Sequence, residues 1–115
     1  METVKLEIFI PCTHLEALRE ALRSVGAGAM RNYDSALSYS LVTGCWRPLK
    51  GANPYDGEIG VLTEAEEYKV EVCCRKELLE QTVEKIKEIH PYEKPVINAI
   101  PLIVVGKTHN YETGH

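Results

Sequence analysis

Thiol, imidazole and carboxylate side chains occur at two places in the chain where they could hold a metal ion. Cys12 and His14 lie two residues apart before a predicted helix, and His90 and Glu93 follow a second predicted helix. Such groups are the ligands that Zn²⁺ and Cu²⁺ take in proteins. Either pair alone is too small, because structural zinc needs about four ligands and catalytic zinc about three protein ligands. A metal site would have to combine the pairs or use a second subunit.

The same residues also have structural interpretations, which we favour. A charged histidine near a helix C-terminus, as at His90, interacts favourably with the helix dipole. Cys12 fits a small buried thiol, and His14 fits an exposed residue at the start of a helix. Metal binding at Cys12, His14, His90 and Glu93 is therefore a hypothesis, with Zn²⁺ or Cu²⁺ as the candidate ion.

A long connection between two predicted strands, residues 44–60, is rich in glycine, proline, asparagine and aspartate. Loops above about 12–15 residues without secondary structure are uncommon in compact domains and are often functional. Arg47 and Lys50 could hold an anion there, and Trp46 and Tyr55 could stack on a ring. Alternatively, the loop is a hairpin that wraps a neighbouring subunit. We favour this second interpretation, because aromatic side chains with polar ends suit interfaces.

The sequence offers no candidate catalytic residue. The sequence has no nucleophile elbow, P-loop, HExxH or GxGxxG motif after a suitable element. Carboxylates are plentiful, but no pair stands out as a general acid and base. An active site would have to be built between subunits, so we predict a binding module and not an enzyme.

The composition is that of one globular domain. The chain has 115 residues, 44% hydrophobic and 26% charged, with a formal net charge of −4. This weak acidity argues against nucleic-acid binding by phosphate neutralisation, and no apolar run approaches the ~20 residues of a membrane helix. The four cysteines show no CxxC spacing, which favours a reducing cytoplasm. We predict a single domain over residues 1–106 and a polar tail over residues 107–115.

The elements that position the candidate residues follow from hydrophobic periodicity. Alternation predicts four strands and helical spacing predicts two helices, the first with a capping box formed by Thr13 and Glu16. The predicted bounds are 3–10, 36–43, 66–74 and 95–105 for the strands and about 13–25 and 76–89 for the helices. The order β-α-β-β-α-β predicts an α+β, ferredoxin-like sandwich, with both helices on one face of an antiparallel sheet.

The sheet face that the helices leave open is mostly charged. Its predicted members are Lys5, Glu7, Phe9, Glu67, Lys69, Glu71 and Cys73. Two interpretations stay open, because a mixed-charge face suits bulk water and a wet interface equally. Either this open face is solvated, or it meets the same face of neighbouring subunits through pairs of opposite charge.

Several segments resemble the inserted domain of the YqfO/NIF3-like proteins. They are THLEALREAL (residues 13–22) with VGAG and NY after it, the loop RPLKGANPYDGE (residues 47–58) and EEYKVE (residues 66–71). HPYEKP (residues 90–95) is shared with that domain, and with IKEI before it and IPL after it also resembles the CutA divalent-cation-tolerance proteins. The similarity spans about residues 5–102. The combination of the loop and the HPYE motif makes it specific.

The resemblance implies a CutA-like fold of the kind seen in PII signalling proteins, and such domains tend to form homotrimers. The dinuclear metal site of the YqfO-like proteins lies in the flanking domain that this insert interrupts, so no residue here inherits those ligands or the hydrolase activity. Arg31 stands where the insert usually has glycine, and Ala36 where cysteine is common.

The predicted function is therefore that of a small cytoplasmic CutA/PII-like homotrimer. It would bind a divalent metal ion or a small ligand at its subunit boundaries, or regulate a protein partner. Two alternatives are an accessory subunit that docks on a metal-dependent hydrolase of the YqfO/NIF3-like type, and an enzyme with an intersubunit active site.

Overall fold

A computed structural model describes residues 2–105 and shows one antiparallel sheet with two α-helices. The elements are β1 (Thr3–Pro11), α1 (Leu15–Ser24), β2 (Ser38–Trp46), β3 (Thr63–Arg75), α2 (Leu79–Ile89) and β4 (Ile97–Leu102). The strand order is β2-β3-β1-β4, and every neighbouring pair is antiparallel. This arrangement confirms the predicted α+β, ferredoxin-like fold. The predicted polar tail lies outside the described residues.

The core lies between one face of the sheet and the two helices. Period two along β1 places four aliphatic side chains on this covered face, and β3 adds three more opposite them. The members are Val4, Leu6, Ile8, Ile10, Val70, Val72 and Cys74, covered by Leu15, Leu18, Leu22 and Ile86 of the helices. Full burial of an aliphatic side chain stabilises the fold by about 1.5–3 kcal/mol, so this cluster supplies most of the apolar driving force.

The start of the first helix differs from the prediction. Cys12–His14 form a 3-10 turn, and α1 begins at Leu15 without a side-chain cap. The Thr13 hydroxyl lies 2.9 Å from Nδ1 of His14, so the predicted capping box with Glu16 is wrong. The neighbouring imidazole competes successfully for the hydroxyl that the capping box needs.

The inner face of the second helix includes a polar residue that periodicity did not predict. Helical spacing from Leu79 and Ile86 favours Val83 as an inner-face residue, but Val83 is only partly buried and its neighbour Thr82 is fully buried. The Thr82 hydroxyl donates to the Leu78 carbonyl at 2.7 Å. Because this bond satisfies the hydroxyl within its own helix, burial of Thr82 leaves no unpaired polar group.

The second and third strands are longer than predicted and form a hairpin. Strand β2 runs to Trp46 and β3 starts at Thr63, so the connecting loop is residues 47–62. The first four residues of β3, 63–66, pair with β2 alone. Strand β4 is shorter than predicted and contains Pro101, which an edge strand tolerates because its outer N–H positions are unpaired.

The open face of the sheet pairs its own charges. Lys5 lies 2.9 Å from Glu71, and Lys69 lies 3.4 Å from Glu7. The pKa of the Glu71 carboxyl is lowered, mainly because Lys5 donates a hydrogen bond to it. Both pairs link adjacent strands of one chain, so these charges do not require partners from another subunit.

Candidate functional site

A cavity of about 460 Å³ opens at one end of the open face. Its walls come from three parts of the chain that are far apart in sequence: the β2 end with the following loop, the middle of the sheet, and the segment after α2. The lining residues are Phe9, Gly44, Cys45, Trp46, Pro48, Ala52, Pro54, Tyr55, Asp56, Glu67, Tyr92, Glu93, Lys94 and Val96. We refer to this cavity as the aromatic pocket.

Aromatic rings form a continuous wall of the pocket. Tyr92 stands in the middle, with its ring centroid 5.9 Å from Trp46 and 5.8 Å from Tyr55. The His14 ring lies edge-on to Tyr55 at 6.3 Å. Tilted and edge-on rings at these distances attract one another, so the wall is held by its own contacts.

The loop over the pocket is tied down by hydrogen bonds that span long stretches of sequence. The Trp46 indole N–H donates to the Asp56 carbonyl at 3.1 Å. The Asn53 backbone N–H donates to Glu93 Oε2 at 3.0 Å, across 40 residues. These bonds position Tyr55 and Asp56 at the pocket.

A buried carboxylate forms part of the floor. Glu67 is only 6% exposed, and its Oε2 accepts a 2.7 Å hydrogen bond from the Tyr92 hydroxyl. Burial first, and then this bond to Glu67, raise the pKa of Tyr92, which keeps the phenol protonated as a donor at neutral pH. A β-carbon on residue 44 would overlap the Glu67 carboxylate, so only glycine at that position lets the carboxylate lie flat against β2.

His90 fixes the position of Tyr92. Its Nε2 lies 2.7 Å from the Phe9 carbonyl, which can only accept, so Nε2 carries a proton. Its Nδ1 accepts from the Tyr92 backbone N–H at 3.2 Å. Burial is the main cause that lowers the pKa of His90, which agrees with a neutral ring that serves two backbone groups.

The predicted ligand residues separate into two groups. Trp46 and Tyr55 line the aromatic pocket, whereas Arg47 and Lys50 are exposed and do not line it. The interpretation of Trp46 and Tyr55 as stacking residues therefore has a cavity to support it. The anion site predicted at Arg47 and Lys50 is therefore not part of the aromatic pocket.

The predicted metal ligands do not converge on one point. Glu93 lines the pocket and bonds the loop, His14 lies beside Tyr55, and both ring nitrogens of His90 are engaged. Within residues 2–105, no group of three or more histidine, cysteine, aspartate or glutamate side chains is arranged to hold a metal ion. The described part of one chain therefore holds no complete metal site, and Cys12 with His14 would need ligands from outside it.

Most residues that line the pocket were not site candidates in the sequence analysis, and Gly44, Glu67 and Tyr92 are the ones that shape its floor. Alternation places Glu67 on the open face, where a carboxylate is normally solvated. Its burial depends on contacts with Tyr92, 25 residues further on. A signal was available in the HPYE segment, which places a large aromatic residue directly beside the helix end.

Comparison with known proteins places this pocket on a known scaffold. Residues 54–113 match the family described as CutA1 divalent ion tolerance protein. The chain belongs to the CutA1 family. Neither helix among residues 2–105 is long and apolar enough to span a membrane.

The CutA1-family chain also resembles curated proteins named GTP cyclohydrolase 1 type 2 homolog. It is 38% identical over 104 residues to the protein from Halalkalibacterium halodurans, covering 90% of this chain and 28% of that protein. It is 31% identical over 98 residues to the Bacillus subtilis protein, covering 85% of this chain and 26% of that protein. The chain thus spans about a quarter of the length of the curated relatives it matches.

Solved structures show the same two resemblances. A Bacillus cereus protein related to NIF3 superimposes with a TM-score of 0.78 at 31% identity, over 90% of this chain and 26% of that one. The periplasmic divalent cation tolerance protein CutA from Archaeoglobus fulgidus gives 0.72 at 16% identity, over 97% of both chains. The second match establishes the fold, and together they confirm the resemblance found in the sequence.

Proposed function

We propose that this CutA1-family chain is a CutA/PII-like binding or regulatory module that assembles as a homotrimer in the cytoplasm and binds a small ligand in the aromatic pocket. The observation that carries the proposal is the aromatic pocket itself. Its volume of about 460 Å³ lies in the range of about 300–1,000 Å³ that is typical of small-molecule sites. Its walls are apolar and aromatic, with a few polar groups, as such sites require.

The rigidity of the pocket supports ligand binding. The loop is anchored through Asn53 and Trp46, and Tyr92 is held by His90 and Glu67. A site whose walls are fixed before the ligand arrives loses little conformational entropy on binding. Preformed walls therefore favour a binding role over a loop that merely connects two strands.

Exposed apolar side chains support self-assembly. They cluster on the β2–β3 hairpin and on the edge strand β4 with its flanks, and Leu62 is 66% exposed. The members are Leu41, Leu49, Ile59, Val61, Leu62, Val96 and Ile100. Apolar patches of this kind mark interaction sites, and the outer edges of β2 and β4 offer unpaired backbone groups to a neighbouring strand.

Sedimentation tests the assembly. Ultracentrifugation at micromolar concentration should give about three times the 12.9 kDa chain mass, and Leu62→Glu should shift it toward the monomer. The matched control is Gln81→Glu, which adds the same single negative charge at an exposed position without removing apolar surface. A monomeric wild-type protein would refute self-assembly.

Fluorescence tests the pocket. Trp46 is the only tryptophan in the sequence and lines the cavity, so its emission reports on occupancy. A set of cationic, neutral and anionic aromatic compounds should include at least one that changes this emission with saturation, and Tyr92→Ala should weaken its binding at least tenfold. If no member of the set saturates the signal, the pocket is not a ligand site.

A divalent ion is the second candidate, because the family is described by divalent ion tolerance. Residues 2–105 of one chain hold no group of three such ligands, so we place the ion where Cys12 and His14 meet groups of another subunit. Titration of the assembled protein with Cu²⁺ and with Zn²⁺ should show binding below millimolar levels that is lost in Cys12→Ser and His14→Asn. Equal binding by the wild type and both variants would remove these residues from the proposal.

Docking on a metal-dependent hydrolase of the YqfO/NIF3-like type is the third candidate, since the similar region makes up only 28% of the curated relative from Halalkalibacterium halodurans. It predicts a stable complex between this protein and the metal-binding part of such a hydrolase. Gel filtration of the two purified proteins together tests it, and separate elution would contradict it. An intersubunit active site stays a weaker alternative.

A further inference from the structure

We infer that the aromatic pocket selects an organic cation, an ammonium or guanidinium group attached to a small apolar or aromatic body. The inference rests on the proposed function, since it requires that the pocket binds a ligand, and it adds the chemical class of that ligand. Three features of the pocket lead to it: the charged residues of its lining, its aromatic wall, and the burial of Glu67 without a cationic partner.

The charge of the lining is negative. Three carboxylates, those of Asp56, Glu67 and Glu93, line the cavity against one ammonium group, that of Lys94. The most deeply placed of them is Glu67, whereas Glu93 and Lys94 are exposed at the rim. An electrostatic interaction is strongest where water is excluded, so Glu67 dominates the preference of the site.

Glu67 lacks a cationic partner within the part of the chain that the structure describes. The donor facing its carboxylate there is the neutral Tyr92 hydroxyl, and no ion pair to Glu67 is formed among residues 2–105. A buried carboxylate without a counter-charge is costly. A bound cation would remove that cost at the moment of binding, whereas an anion would add repulsion to it.

The aromatic wall favours the same class of ligand. The Tyr92 ring lies between two others, with centroid distances of 5.9 Å to Trp46 and 5.8 Å to Tyr55. Ring faces attract cations, by about 2 kcal/mol where water is excluded. The wall would hold the apolar body of the ligand and solvate its charge, while the Glu67 carboxylate supplies the opposite charge.

A metal ion fits this pocket less well than an organic cation. Oxygen atoms of Glu67 and Glu93 already accept hydrogen bonds from Tyr92 and Asn53. A small dication needs several oxygen ligands in close array, and residues 2–105 contain no such array. A diffuse organic cation needs only one carboxylate and the ring faces.

A matched series of probes tests the inference on the full-length assembled protein. Benzylammonium, benzyl alcohol and benzoate share one ring and differ in charge. Titrations followed by Trp46 emission and by calorimetry should show benzylammonium binding at least tenfold more tightly than benzyl alcohol, and benzoate more weakly than either. In Glu67→Gln, which keeps an acceptor for Tyr92, the benzylammonium affinity should fall at least tenfold while the benzyl alcohol affinity changes less than twofold.

Glu71→Gln is the control, because Glu71 lies on the same face of β3 but is paired with Lys5 outside the pocket. It should leave all three affinities unchanged.

If benzoate or benzyl alcohol binds as tightly as benzylammonium, the cation inference is wrong while the pocket stands as a ligand site. If none of the three binds and Trp46 emission instead changes on dilution, the pocket is filled by a second copy and both proposals fail. If Zn²⁺ alone displaces benzylammonium below millimolar concentration, the site is a metal site and the inference is overturned.

Discussion

Ile8 and Phe9 are consecutive on β1, yet they face two regions built in different ways. Ile8 points into the core between sheet and helices, a cluster made mostly of aliphatic side chains. Phe9 points to the open face and lines the aromatic pocket beside Trp46 and Glu67. The core is stabilised by buried apolar surface, to which many similar side chains each contribute. The pocket is held by a few directional bonds between distant parts of the chain.

This difference has a consequence for robustness. The core can lose one contact and keep its packing arrangement, because the neighbouring apolar side chains still bury surface there. The pocket has no such redundancy: Glu67, Tyr92 and His90 form one hydrogen-bonded chain that ends at the Phe9 carbonyl. Substitution in the core should therefore change stability most, and substitution in the pocket should change the site more than the stability.

Leu18→Ala is the largest expected effect on stability. Leu18 is fully buried in α1, so its truncation should lower the free energy of unfolding by about 2–5 kcal/mol. Urea denaturation followed by circular dichroism measures the loss. Ile103→Ala is the control, because Ile103 is 96% exposed and its truncation should cost less than about 1 kcal/mol. Similar losses for the two variants would show that the core is not the main source of stability.

Gly44→Ala is the next largest effect and tests the pocket. The new β-carbon would overlap the Glu67 carboxylate, which must move and release the Tyr92 hydroxyl. We expect a loss of about 1–3 kcal/mol, the cost of an unsatisfied buried polar group. Adding Glu67→Ala to Gly44→Ala should cost clearly less than the sum of the single changes, because the clash and the bond disappear together. Additive losses would contradict the contact.

The pH dependence of stability tests the role of His90. Because the pKa of His90 is lowered in the folded state, the unfolded chain binds more protons once the pH falls to about 6.5, the ordinary histidine value. Stability from this residue is complete above that pH and is lost as the pH falls toward the lower folded pKa, by up to about 1.4 kcal/mol per pH unit.

His90→Gln isolates this contribution. The amide can donate and accept but does not titrate, so the variant should be less stable at pH 7 and should lose less stability between pH 7 and pH 5. Thermal melts across this range measure both slopes. Carboxylates such as Glu71, whose pKa values lie lower, titrate below this window. Parallel slopes for the wild type and His90→Gln would mean that the pKa of His90 is the same in the folded and unfolded states.

The contrast between the two regions also explains what could be predicted from the sequence. Period two along β1 and β3 predicted the covered face residue by residue, because burial there depends only on which side of a strand a residue occupies. Trp46 and Tyr55 were predicted as candidate ligand residues from their chemistry. The burial of Glu67 was not predictable, since it depends on the loop folding back and on Tyr92 closing over it.

Local competition accounts for the other departures. The capping box failed because the Thr13 hydroxyl contacts the adjacent His14 ring, an option that a four-residue pattern does not consider. The loop predicted over 44–60 proved shorter at its start because β2 continues to Trp46 along β3. In both cases the deciding contact is made by a residue outside the motif that was used for the prediction.

Arg31 gives the smallest predicted effect, and it lies in neither region, on the connection between α1 and β2. Its φ is 49°, in the left-handed region that costs a residue with a β-carbon about 1–2 kcal/mol. Glycine removes that cost but adds freedom to the unfolded chain. Arg31→Gly should therefore be more stable than Arg31→Ala by about 0.5–1 kcal/mol in urea denaturation. The alanine variant shares the loss of the arginine side chain, so the difference between the two reports the backbone alone. Equal stability would place the strain elsewhere, whereas the expected gain would explain why glycine is usual at this position in the inserted domain that the chain resembles.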